Sequence, residues 1–293
     1  MGPVIVGTAW SILWRVLLFV LVFGLFGALL IIPFDPVLAE WRGAFPMRAH
    51  LYGQSASALA VLAATWTMTR FVDRRPFRTI GFAPGRVLRD LAMGFALAAA
   101  WLATSLAALW AFGWVSREDP SAVSATLLLV SAIAVLLNAL TQQLLLFGYI
   151  LQTIRSRAGF PLALLLSAAA FSGVHAGGFQ GEWLPAVNVF GAGALFCLAY
   201  AVTGNLWLPV AAHFTWNLVL GPVLGLTVSG SSQLSLGWRV LSVEGPPLIT
   251  GGDFGPEGGL MVTLTTALLV AAMLWLHNRR PASGPPETSP GTP

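Results

Sequence analysis

The sequence predicts an all-α integral membrane protein, a polytopic helical bundle of about eight spans. Three observations lead there. Hydrophobic residues make up 57% of the 293 residues and charged residues only 9%, where a soluble domain is about a quarter charged. Mean hydropathy is +0.80. The apolar residues also come in stretches near the roughly 20 needed to cross about 30 Å of hydrocarbon. These stretches lie at 10–32, 51–70, 91–114, 123–151, 160–176, 186–203, 206–228 and 259–277.

Within the first stretch the apolar run from Val16 to Ile32 follows Arg15, is long for a secretory leader and is not followed by a small-residue cleavage site. It reads as a retained first span. The fifth and sixth are short, which predicts tilted helices or a segment that re-enters the membrane. A Gly/Pro/Ser-rich loop, 229–258, separates the last two spans, and the Pro/Ser/Gly-rich tail reads as disordered. The chain divides accordingly into three N-terminal spans (1–118), a core of four (119–228), a loop with the eighth span (229–278) and the tail (279–293).

Charge orients the bundle. Every basic residue is Arg. Arg70, Arg74, Arg75, Arg78, Arg86 and Arg89 follow the second span, Arg155 and Arg157 the fourth, and Arg279 and Arg280 the eighth; the opposite loops hold only Arg42, Arg48, Arg117 and Arg239. The positive-inside rule then places both termini in the cytoplasm of a cell-membrane protein. A seven-span arrangement would put Arg279 and Arg280 on the wrong side. The net charge of +4 suits loops facing anionic lipid. No run of basic residues interleaved with aromatics points to nucleic acid. The single Cys197 excludes an intramolecular disulfide and a cysteine-based metal site.

Polar side chains inside apolar spans are costly and tend to face a bundle interior or a wet cavity for a functional reason. Three spans carry them. Thr141-Gln142-Gln143 lies in the fourth, Phe171-Ser-Gly-Val-His175 in the fifth and His213-Phe-Thr-Trp-Asn217 in the seventh. Residues four apart share a helix face, so Gln143 pairs with Phe147, Phe171 with His175 and His213 with Asn217. The groups fall well inside the bilayer and can satisfy one another only if the three helices pack together.

In order and spacing these patterns resemble the CPBP family of intramembrane proteases, the CAAX-protease and bacteriocin-processing (Abi) group. The family's motifs read Glu-Glu-x-x-x-Arg, Phe-x-x-x-His and His-x-x-x-Asn. Phe171 to His175 matches the second and His213 to Asn217 the third. Gly148-Tyr-Ile-Leu151 and Thr203-Gly-Asn-Leu-Trp-Leu-Pro209 add to the likeness, which covers roughly residues 120–220. The resemblance implies peptide hydrolysis in the membrane. It gives His175 the task of orienting water and His213 and Asn217 that of donating to a tetrahedral oxyanion, with Phe171 lining the substrate site.

The first motif departs from the family. Gln142 and Gln143 replace both glutamates and Phe147 the arginine. An amide keeps nearly the shape of a carboxylate but takes no proton near neutral pH, and general-base help is typically worth about 10²–10⁴ in rate. The three changes together neutralise the cluster without leaving an unpaired buried charge. The expectation is therefore a pseudoprotease that binds membrane-anchored peptides. An active hydrolase would need another base. Spans four and five contain no Asp or Glu, so Glu182, just past His175, is the candidate, or else a recruited metal such as Zn²⁺ on the two histidines. A transporter or channel fits less well, since no paired broken helices occur in matching halves. His50 and His277, near span ends, carry no pattern.

Overall fold

The structure is a computed structural model and describes residues 2–119, 124–232 and 238–279. The predicted disordered tail beyond Arg279 lies outside the described residues. All eight apolar segments are helical. Helix α1 (Gly2–Ile31) passes through a 3₁₀ turn, Ile32–Phe34, into a short α2 (Asp35–Ala44), and α3 follows (Pro46–Thr67). Proline in the first turn starts α2 and α3, where its missing N–H has no intrahelical partner to lose. Helix α4 (Val87–Ala111) leads to strand β1 (Val115–Arg117). Helix α5 (Ala125–Gln142) continues through a π-helical stretch, Gln143–Ile150, into α6 (Leu151–Ala158). After them come α7 (Phe160–Val174), α8 (Trp183–Thr203), α9 (Trp207–Leu218), β2 (Leu241–Val243), the single turn α10 (Pro247–Thr250) and α11 (Leu260–Asn278).

Among the described residues, five helical stretches are long and apolar enough to cross a bilayer: Gly7–Ala44, Pro84–Ala111, Ala125–Ala158, Trp183–Thr203 and Leu260–Asn278. The chain is a multi-pass membrane protein embedded in lipid. The predicted fifth segment is short, as expected. Helix α7 has 15 residues, about 22 Å at 1.5 Å per residue. The sixth is not short: α8 runs 21 residues because Pro185 is accommodated in its first turn. Helix α4 packs closely on α9. A Cβ at Gly94 would lie 2.4 Å from the Leu208 carbonyl oxygen, so only glycine allows this approach.

Alternating chain direction sorts the connections to two ends. The segment 72–87, the end of α6 and the end of α11 gather most of the arginines at one end. There the buried Asp90 accepts from Arg89 at 3.0 Å and from Asn205 at 3.1 Å. At the other end β1 pairs antiparallel with β2, Val115 opposite Val243. The loop predicted as irregular, 229–258, is ordered where described and folds back onto the helix ends, with 3₁₀ turns at Gly252–Phe254 and Pro256–Gly258. Glycine permits this contact of backbone on backbone. Gly255 has φ +89°, and a Cβ there would lie 2.3 Å from the Thr227 carbonyl oxygen.

Candidate active site

Helix α7 ends at His175, whose backbone leaves the helix at φ −99°, ψ 0°. Its ring folds back so that Nδ1 lies 2.7 Å from the Phe171 carbonyl oxygen. That oxygen is one of the carbonyls left without a partner by the helix end. The carbonyl can only accept, so Nδ1 carries the proton and Nε2 presents a lone pair. On α9, His213 has the opposite arrangement. The Gln143 side-chain amide nitrogen sits 3.3 Å from His213 Nδ1. An amide N–H donating to Nδ1 puts the ring proton on Nε2. One histidine thus offers Nε2 as an acceptor when its ring is neutral, and the other offers Nε2 as a donor.

Gln143, His213 and Asn217 are buried, as is Phe171. Among the described residues, the structure brings together all three motifs. The first of them straddles the end of a regular helix: Gln142 closes α5, while Gln143 and Phe147 lie on the π-helical stretch, and such bulges are frequent at functional sites. Phe147 explains the missing arginine. Its ring centroid lies 5.7 Å from that of Phe171 and 6.0 Å from that of Phe196. Phe196 in turn lies against His213 at 5.1 Å and Phe171 against His175 at 4.7 Å. An aromatic wall fills the place of a charged pair. The Oε1 atoms of Gln142 and Gln143 are buried and lack a hydrogen-bond partner.

The structure adds a residue that sequence reasoning missed. Glu257, in the turn just before α11, lines a cavity of about 30 Å³ together with His175, His213, Asn217 and Ser229. This is room for a water or two. The Glu257 carboxylate accepts from Trp216 Nε1 at 2.5 Å, from the Ser229 hydroxyl at 3.0 Å and from the Ser229 backbone N–H. Ser229 holds a left-handed backbone, φ +50°, a conformation costing a non-glycine residue about 1–3 kcal/mol. It aims both its donors at one carboxylate oxygen. Burial pushes the Glu257 carboxyl up from its ordinary range, while the bonds from Trp216 and Ser229 and the nearby His175 pull it down.

Asn188 on α8 fixes the turn. Its amide donates to the Glu257 carbonyl at 2.8 Å and the Gly259 carbonyl at 3.0 Å, and its oxygen accepts from Thr263 at 2.7 Å. Replacing Asn188 by alanine leaves these buried groups unmatched and is expected to cost about 1–3 kcal/mol, read as a lowered unfolding midpoint in detergent. No motif announces Asn188 or Glu257. The available signal was an acid enclosed by glycines, Gly255-Pro-Glu-Gly-Gly259, directly ahead of an apolar span.

Glu182, the carboxylate favoured from the sequence, is exposed at the start of α8 and takes no part in lining the site. Being seven residues past His175 does not bring it back, because the 3₁₀ turn Ala176–Gly178 and the irregular segment after it break the helical register between the two. His50, which carried no pattern, lines a second cavity of about 180 Å³ with Gln54, Asn138, Gln142, His175, Asn217 and Ser229. Asn138 donates to Gln54 at 3.2 Å and Gln142 donates to Asn138 at 3.0 Å, forming a row of amides that ends beside the site. Among the described residues, no three His, Cys, Asp or Glu side chains are grouped to hold a metal ion.

Residues 124–219 match the family model described as type II CAAX prenyl endopeptidase Rce1-like. That segment runs from the start of α5 to the end of α9 and includes all three motifs; Glu257 lies beyond it. Comparison with curated proteins and with solved structures gives no match. A lipid-embedded helical bundle, two histidines of opposite hydrogen-bonding sense and a matching α5–α9 segment together make the core of this chain similar to the CAAX-protease-like intramembrane peptidases.

Proposed function

We propose that the chain binds a membrane-anchored peptide at the His175–His213–Asn217 site, and that the first motif no longer drives hydrolysis. Taken alone, the first motif would leave a pseudoprotease. The observation that carries the reading is Gln143 held against His213 with Phe147 in an aromatic wall: this face has no group able to take a proton. The remaining roles stay open to it. His213 Nε2–H and the Asn217 amide are donors for a peptide carbonyl oxygen. Gln142, with Oε1 unpartnered on the wall of the second cavity, is an acceptor for a peptide N–H.

The approach to the site supports an anchored ligand. The second cavity shares His50 and Gln54 with a groove of about 1200 Å³, lined by Phe45, Met47, Leu51, Leu127 and Val130 among others. Its walls are largely apolar, fit for a lipid chain or a spanning segment, and the amide row leads inward from it. With the arginine-rich end in the cytoplasm of a cell membrane, this groove opens on the opposite face.

The test is binding to protein in lipid nanodiscs. An acylated fluorescent peptide is expected to bind at least tenfold tighter than its unacylated form, and Val130→Trp, which fills the groove, is expected to remove that preference. Equal binding of both peptides, or no effect of Val130→Trp, overturns the reading. A second reading, an active hydrolase, has one specific observation behind it: the buried carboxylate of Glu257.

A further inference from the structure

We infer that Glu257 takes over the proton-accepting role that the first motif has given up, so that the site hydrolyses the peptide it binds. The inference rests on the peptide-binding reading above and goes one step further. Three observations carry it. The carboxylate lies on the wall of a water-sized cavity shared with His175, His213 and Asn217. Three donors and a clamp on its backbone fix it there. And its acceptor capacity is not exhausted: Oε2 takes both Ser229 bonds while Oε1 takes only that from Trp216, which leaves one lone-pair direction at Oε1.

A charged side chain deep among aromatic rings is costly unless something uses it. For holding the loop in place, an amide or a hydroxyl would serve. The strained Ser229 backbone and the Asn188 clamp are what keeping an ionised group at one position requires.

The chemistry balances within the site. Water, the co-reactant, hydrogen-bonds to His175 Nε2 and to Glu257. As its oxygen attacks the peptide carbonyl carbon, its proton passes to the Glu257 carboxylate. The resulting oxyanion accepts from His213 Nε2–H and Asn217. The C–N bond then breaks, Glu257 returns the proton to the departing nitrogen, and a new carboxyl and a new amine leave. Compared with the family pattern, the acid stands in the loop before α11 instead of at the first-motif positions 142 and 143.

The groups facing Glu257 are few. His175 faces it from the end of α7, Trp216 from α9 and Ser229 from the segment after α9; α8 touches its backbone through Asn188. Of these only His175 carries an ionisable side chain, with His213 lining the same cavity. A base must be ionised to act, so cleavage falls as pH drops through the Glu257 pKa, which burial places above the ordinary carboxylate value of about 4.3.

The experiment follows cleavage of the anchored peptide by the full chain in nanodiscs across pH. Glu257→Gln is expected to lower kcat by about 10²–10⁴ with peptide affinity unchanged. Glu182→Gln is expected to change nothing. Ser229→Ala removes a donor that favours the ionised carboxylate and is expected to move the acid limb of the profile to higher pH. This second variant decides the matter if Glu257→Gln unfolds. Wild-type protein that binds the peptide but leaves it intact overturns the inference and spares the binding reading. Cleavage that survives Glu257→Gln, or an acid limb unmoved by Ser229→Ala, also overturns it. A peptide that does not bind refutes the binding reading first.

Discussion

Substituting His213 by alanine in the nanodisc-embedded protein is expected to lower kcat for the anchored peptide by about 10²–10³, with KM little changed. His213 does not meet the attacking water. On the hydrolytic reading it donates from Nε2 to an oxygen that gains its full charge in the transition state, so its loss is expected to fall mainly on kcat. The donor is available because Gln143 holds Nδ1 as an acceptor at 3.3 Å and because Phe196 lies against the ring at 5.1 Å. Asn217→Ala is expected to give a loss of the same kind, and the pair to give less than the product of the two, since both serve one oxygen. A matched rise in KM with kcat intact would instead make His213 a ground-state binding residue.

The second large effect is on stability. Phe147→Arg restores the family residue and is expected to destabilise the protein by about 3–5 kcal/mol, the cost of leaving one buried charge without its partner. Phe147 is fully buried, between Phe171 and Phe196. A guanidinium there finds aromatic rings and a neutral amide, where the family pattern supplies carboxylates. Adding Gln143→Glu is expected to recover part of the loss. The single and double variants form a cycle whose coupling, measured by unfolding in detergent, should favour the pair by about 0.5–3 kcal/mol. A Phe147→Arg protein as stable as wild type would mean that the site still accommodates the charge.

These expectations explain how the first motif could change as it did. Charged partners in lipid are gained or lost together, because the half-paired state is the unstable one. Gln142, Gln143 and Phe147 together leave no charge at this position, and Phe147 packs its ring against Phe171 and Phe196.

The sequence by itself determined that this chain is a helical membrane bundle, since its length of apolar stretches against so few charges admits little else. It also determined which side chains meet. His175, His213, Asn217 and Gln143 are costly in lipid unless partnered, and their helical spacing leaves one face each on which to find a partner. The tertiary structure alone decided the rest. Glu182 lies close to His175 in sequence yet is exposed at the start of α8. Glu257 lies far from every motif yet is carried inward by a glycine-rich loop pinned by Asn188 and Ser229. Helical periodicity specifies faces within a segment. It says nothing about where a loop returns, because that depends on backbone contacts such as Gly255 against Thr227, which leave no periodic trace in the sequence.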